Sequence, residues 1–283
     1  MVDTNYPKDT ITERCHWIAY TVPYYSDKLW PSFISASGKE IRPIQHYTNG
    51  LEISNGGRVY WNTNRPNMGR HVIFSGQCCD IIGENLKECL SFVHSQGYKT
   101  TRLDLAIDVF NTNLSLNHMR SLVSRREFKS HAMVAPAHED LLGKGQTIQL
   151  GRAGSGSFIR VYDKASEQKI DASWIRIEIS YGARKAKNAL TTYLQGNSVR
   201  AMVADTVTFP KWRKWNKILS EKPVPVRYAQ NKTNTRKWLM GTVAKSIAKE
   251  MLFDDGQEFR ILLLQQIELE YKMLQEEDEI IDF

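Results

Sequence analysis

Three short stretches of this chain carry residue types that can do chemistry, and each carries them on one face of a strand. Thr101–Phe110 reads TRLDLAIDVF, so Leu103, Leu105, Ile107 and Val109 point one way while Arg102, Asp104, Ala106 and Asp108 point the other. Ser157–Lys164 reads SFIRVYDK, with Ile159 and Val161 opposed to Arg160, Tyr162 and Lys164. Trp174–Ser180 reads WIRIEIS, with Ile175, Ile177 and Ile179 opposed to Arg176 and Glu178. An antiparallel sheet with one wet side explains the alternation. It does not explain why that side holds acids and a tyrosine among arginines rather than Thr, Lys and Gln.

Carboxylate oxygens are hard ligands suited to Mg²⁺ or Mn²⁺. Asp104 and Asp108 are four residues apart on a strand, roughly 13 Å, too far to share one ion easily. A metal site is better made from one of them plus Glu178, with water and a phosphate oxygen completing the shell. The remaining aspartate would then orient an arginine or a general base. Tyr162 has Arg160 and Lys164 two residues away on the same face. A phenol is a poor nucleophile at its ordinary pKa of about 10. Two adjacent cations are expected to favour the phenolate and to attract the phosphate it would attack. The seven histidines, His16 among them, are never closer than seven residues, so no His-apolar-His metal motif forms. The Gly-rich Gly151–Ser157 lacks the Gly-Lys-Ser/Thr of a phosphate loop and reads as the turn joining Thr147–Leu150 to the tyrosine strand.

The elements that must position these residues read as an α+β fold. An antiparallel sheet carries the site on one face, helices pack on the other, and a basic helical region comes after them. His16–Thr21, Arg58–Asn62 and His71–Ser75 alternate as strands, and residues 84–96 and Leu116–Arg126 read as helices. Thr233–Phe253 and Phe259–Glu277 have helical spacing. Pro210, Pro223 and Pro225 place a boundary near Phe209–Val226, giving a catalytic region 1–209 and a DNA-binding or dimerisation region 210–283. Cys15, Cys78, Cys79 and Cys89 lack zinc spacing and read as buried thiols. No apolar run approaches the ~18–20 residues of a membrane span, and no signal peptide opens the chain, so a cytoplasmic protein is expected.

Charge is unevenly spread. The 283 residues hold 38 Lys and Arg against 31 Asp and Glu, yet Arg184–Lys249 alone holds 15 cations against Asp205 and Glu221. Residues 268–283 carry seven acids and one Lys. Cations interleaved with Trp212, Trp215 and Trp238 are what phosphate neutralisation plus stacking requires. Lys211, Arg213, Lys214, Arg236 and Lys237, with Arg176 on the sheet, are the candidate DNA-binding residues.

In this order the segments resemble the rolling-circle replication initiators of the plasmid Rep-trans type. Relatives of that family include integrative-element relaxases and filamentous-phage initiators. CHWIAYTVP is similar to its opening strand, HVIFSGQCCDII to its apolar-SGxGC segment, and TRLDLAIDVF to its R-x-D-x-x-x-D strand. TIQLGRAGSGSFIRVYDK is similar to its tyrosine hairpin and WIRIEIS to its RxE strand. The likeness runs from His16 to Leu194; the loop LGRAGSGS departs from the family pattern at Arg152.

The resemblance implies that the protein binds duplex origin DNA and that Tyr162 nicks it at a single-stranded or extruded hairpin site. The products would be a 5′-phosphotyrosyl link and a 3′-OH primer. Asp104 or Asp108 with Glu178 would bind the metal, and Arg160 and Lys164 would flank the nucleophile. It also implies a homodimer, with host helicase and polymerase as further partners. About 15 residues precede the first strand, too few for the N-terminal helix-turn-helix of many relaxases, which favours a plasmid or phage initiator. The competing readings are a relaxase, a non-catalytic origin-binding initiator, and a metal nuclease that uses water.

Overall fold

The computed structural model describes residues 6–44, 46–127, 132–135, 147–152, 154, 156–207, 215, 221–227, 239, 243–252 and 256–281. The chain divides into two compact units, Met1–Ala229 and Gln230–Phe283. Among the described residues the first unit is built on ten antiparallel strands: β1 (Thr10–Val22), β2 (Ala36–Glu40), β3 (Asn49–Ile53), β4 (Arg58–Trp61), β5 (Arg70–Phe74), β6 (Lys99–Phe110), β7 (Ala132–Ala135), β8 (Thr147–Leu150), β9 (Ser157–Asp163) and β10 (Trp174–Gly182). Their order across the sheet is β2-β3-β4-β5-β1-β6-β10-β9-β8-β7. The three charged strands therefore lie side by side at its centre, with β1 completing the group.

Helices α1 (Gly76–Ile82), α2 (Leu86–Ser95), α3 (Leu116–Ser124), α4 (Lys164–Gln168), α5 (Ala183–Leu194) and α6 (Val199–Thr206) complete this unit among the described residues. Leu103, Leu105, Ile107 and Val109 of β6, Ile159 and Val161 of β9, and Ile175, Ile177 and Ile179 of β10 form one buried cluster. Leu90 and Val93 of α2, Ala189 and Leu190 of α5, and Met202 and Val203 of α6 join it. Each of the larger side chains contributes about 1.5–3 kcal/mol by leaving water. This aliphatic layer fixes the register, because a one-residue slip would send every charged partner into the core. Glu13 of β1 ties the helical layer down by accepting hydrogen bonds from the Val199 amide at the start of α6 and from Arg200 Nε, both at 2.6 Å.

The α+β architecture expected from the alternation is the one observed. The hairpin across the Gly-rich loop forms as β8 and β9, with Gly151, Gly154 and Gly156 all at positive φ. The first unit runs on past the proline-rich stretch because Trp215 and Val226 are buried in the main core. Trp215, 1% exposed, is thus a packing residue, whereas the charge pattern had made it a stacking one. Trp212, Trp238, Lys211, Arg213, Lys214, Arg236 and Lys237 lie outside the described residues. The second unit contains α7 (Ala244–Glu250) and α8 (Gly256–Ile281). Among the described residues no helix is long and apolar enough to cross a membrane.

Candidate active site

Strand register assembles the site as three rows. Asp104 stands opposite Trp17 on β1 and Ser180 on β10, which in turn faces Phe158 on β9. Ala106 stands opposite Arg14 and Glu178, and Glu178 faces Arg160. Asp108 stands opposite Thr12 and Arg176, and Arg176 faces Tyr162. The middle row rests on the smallest side chain, Ala106, and the longer charged groups around it converge there. The fold thereby brings Asp104, Asp108, Arg160, Tyr162, Arg176 and Glu178 onto one face.

Their partners differ, and the differences sort them. Glu178 receives the Tyr162 hydroxyl on Oε2 at 3.1 Å, His16 Nδ1 on the same oxygen at 3.2 Å, and Arg160 Nη2 on Oε1. Burial alone would raise its pKa. The His16 hydrogen bond and the charges of Arg160, His16 and Arg176 outweigh it and hold the carboxyl well below the usual range. Asp104 is gripped by Arg102 Nε at 2.9 Å and Ser180 Oγ at 2.6 Å, and its Oδ2 lies 3.7 Å from Arg160 Nη2. Burial raises its pKa despite Arg102, and the neighbouring Glu178 charge adds to the rise.

Asp108 is committed to structure on all sides. Arg176 Nε and Nη2 bind its two oxygens at 2.6 and 2.8 Å, Trp174 Nε1 donates at 2.6 Å, and Arg14 Nε lies 3.4 Å away. Arg176 is 0% exposed, so its guanidinium cannot turn outward to DNA without opening the sheet. Arg160, with its side chain 35% exposed, can turn.

Tyr162 differs from expectation in its electrostatics. Its pKa is raised, first by burial and then by the Glu178 charge, which together outweigh Arg176. The flanking cations do not make a phenolate because both are already neutralised. Arg160 pairs with Glu178, and Lys164 is the first residue of α4, buried, its Nζ 2.8 Å from Glu167 and 5.9 Å from the centre of the Tyr162 ring. The strand stops one residue short of Lys164 because Asp163 caps α4, accepting from the Ser166 amide at 3.0 Å.

His16 and Arg14 complete the site and were not legible as members of it. Register shifts between Cys15 and Trp17, so His16 is the extra residue of a β-bulge, the device that re-aims a side chain. The sequence signal was a slip in alternation, since Cys15 and Ile18 are both buried core residues three apart. Gly76, at the start of α1, lies against the imidazole, and any Cβ there would overlap the ring. Gly76→Ala is expected to cost about 1–3 kcal/mol, the usual penalty for overpacking. Urea unfolding measures it, and an unchanged midpoint would mean the His16 ring is not confined.

Among the described residues no three His, Cys, Asp or Glu side chains are gathered closely enough to hold an ion unaided. Asp104 and Glu178 offer the donor chemistry a divalent cation takes, and each carboxylate is bonded within the protein. Both are hard-oxygen donors, and both face Arg160, whose part-exposed guanidinium can turn toward a phosphate. Asp108 holds Arg176 instead.

An α+β protein with an arginine–carboxylate–tyrosine face on the side of an antiparallel sheet opposite its main core is the class that fold and site define. The chain matches the replication initiation factor family, the Rep-trans type, over residues 98–263 and belongs to it. Among solved structures its fold is similar to that of the rolling circle replication initiator protein from Geobacillus stearothermophilus. The TM-score is 0.57 at 18% identity, over 80% of this chain and 95% of that one. No curated protein sequence matches the chain.

Proposed function

We propose that this replication initiation factor starts rolling-circle replication by nicking origin DNA through Tyr162. The observation that carries the reading is the Tyr162 hydroxyl held 3.1 Å from Glu178 on a sheet face where Arg160 can turn to a phosphate. The Tyr162 oxygen bonds to phosphorus as the bond from phosphorus to the 3′ oxygen breaks. That oxygen keeps the electron pair and takes a proton from water, while the phenolic proton is lost to water; Glu178, held ionised, orients the hydroxyl without keeping its proton. The products are a 5′-phosphotyrosyl link and a free 3′-OH for a polymerase. Because the phosphodiester energy is kept in the link, rejoining needs no nucleotide cofactor.

Asp104 and Glu178 would hold Mg²⁺ or Mn²⁺. What the bound ion supplies is stabilisation of charge on the phosphate in the transition state. Asp108 orients Arg176, which gives the Tyr162 strand a fixed neighbour. His16 and Arg160 keep Glu178 ionised. Lys164 fixes the start of α4 beneath the nucleophile. The hydroxyl–Glu178 contact favours a tyrosine nucleophile over a water-using nuclease, in which Tyr162 would have no partner to recommend it.

The basic stretch Arg184–Lys249, including Lys211, Arg213, Lys214, Arg236 and Lys237, serves as the duplex anchor. Arg200 is excluded from that role by its ion pairs with Glu13 and Glu221. A second copy of the chain would supply a second tyrosine for termination, and a host helicase would open the duplex ahead of the polymerase.

Asp104→Asn and Glu178→Gln test the reading. Each should reduce Mn²⁺-dependent nicking of supercoiled DNA at least about a hundredfold, some 2.7 kcal/mol in barrier. Each should also weaken Mn²⁺ binding in calorimetry. Full nicking in EDTA would remove the ion from the mechanism and leave both acids as partners of the arginines.

A further inference from the structure

We propose that Trp17, capped by Arg102, is a stacking platform for a base of the single-stranded segment next to the scissile phosphodiester. The strand then leaves Tyr162 across β6 toward β1. This rests on the nicking reading above and assigns a direction and a contact to its substrate.

Trp17 reaches the polar face only because of the bulge at His16. Without the extra residue, the alternation that buries Cys15 would carry position 17 toward the helices; with it, Trp17 stands opposite Asp104. A half-buried indole on an arginine–carboxylate face has no core to join. Among the described residues its ring contact is a cation, since the Arg102 guanidinium sits 4.6 Å from the ring centroid while its Nε holds Asp104. An aromatic plane next to an arginine that is itself anchored is what a base and its phosphate need together. The far end of the same row repeats the couple, with Arg160 5.8 Å over Phe158. Three inter-strand steps separate Trp17 from Phe158, roughly 14 Å, with the acids between them.

The opposite direction is closed. Below Asp108 the polar face is covered by a second apolar cluster of Phe110, Trp174 and Ala165 of α4, with Tyr6 and Ile170 packed against it. Tyr6 stacks on Phe110 at 4.3 Å, and the Trp174 N–H is spent on Asp108. Those rings are paired with each other and offer no plane to a base. On the β5 side of Trp17 the face carries further rings, the half-buried His71 and Tyr47, stacked at 5.8 Å.

The test uses the full chain carrying Tyr162→Phe, so that no cleavage interferes, and a fluorescein-labelled (dT)12 as probe. Adding Trp17→Ala should weaken binding about 5- to 150-fold, the loss of one base–aromatic stack. The slope of log affinity against log salt should stay the same, because no phosphate contact is removed. Trp17→Phe should recover most of the affinity, and Trp17→Leu, which keeps apolar bulk without a π face, should not. Binding to a random 20-bp duplex should be unaffected by all three.

Undiminished (dT)12 binding by a folded Trp17→Leu protein would overturn the proposal. So would an equal loss on duplex, or a flattened salt slope. Failure of the nicking reading is seen separately, as a wild-type protein that forms no adduct whatever the state of position 17.

Discussion

Tyr162→Phe is expected to yield a folded protein that binds DNA and forms no covalent adduct. The substitution removes one oxygen. Glu178 keeps Arg160 and His16 as partners, so the carboxylate is not stranded, and the stability cost should be about 1 kcal/mol, an ordinary net hydrogen bond. The chemical cost should be total, because among the described residues no second hydroxyl shares the contact with Glu178 at 3.1 Å. Wild type incubated with a supercoiled plasmid carrying its origin should give protein-linked DNA on an SDS gel, sensitive to protease. The mutant should give none while retaining duplex affinity within about twofold. Adduct formed by the mutant would place the nucleophile at another tyrosine.

Asp108→Ala should cost far more stability than any other carboxylate change in the site. The fully buried Arg176 guanidinium would lose both charged acceptors, and the Trp174 N–H its partner. Breaking a buried pair by removing one member costs about 3–5 kcal/mol. For a unit of this size each kcal/mol lowers Tm by roughly 2–4 °C, so a drop of about 6–20 °C is expected. Asp104→Asn should shift Tm much less, because Arg102 is partly exposed and water can replace the lost charge. Loss of nicking by Asp108→Ala with an unchanged melting curve would return Asp108 to the acids that act on the substrate.

Alternation made the central strands legible. β6, β9 and β10 each bury aliphatic residues on one side and charges on the other, and their register delivers Asp104, Glu178, Arg160 and Tyr162 to one face. The pattern could not show which charge answers which across strands. Arg160 and Lys164 flank Tyr162 in sequence, yet their charge goes to Glu178 and Glu167, so the phenol is not activated in advance. His16 and Trp17 were hidden for a different reason. A bulge shifts the period by one residue, and strict alternation misplaces every residue beyond it. Asp163 with Ser166 and Glu167 after it was a readable helix start that would have withdrawn Lys164 from the strand. The stretch Arg184–Lys249 was read from charge alone, which marks an affinity for phosphate but cannot distinguish a packed indole such as Trp215 from an exposed one.

The identity of the nucleophile can be read from the adduct itself. Protein-linked DNA from the wild-type reaction is trimmed with nuclease, digested with trypsin and sequenced by mass spectrometry. Cleavage after Arg160 and Lys164 releases Val161–Lys164, a four-residue peptide with Tyr162 as its one tyrosine. A nucleotide phosphate on that peptide is the expected result. A nucleotide on any other tyrosine, or nicked circles with no nucleotide on the protein, would contradict it.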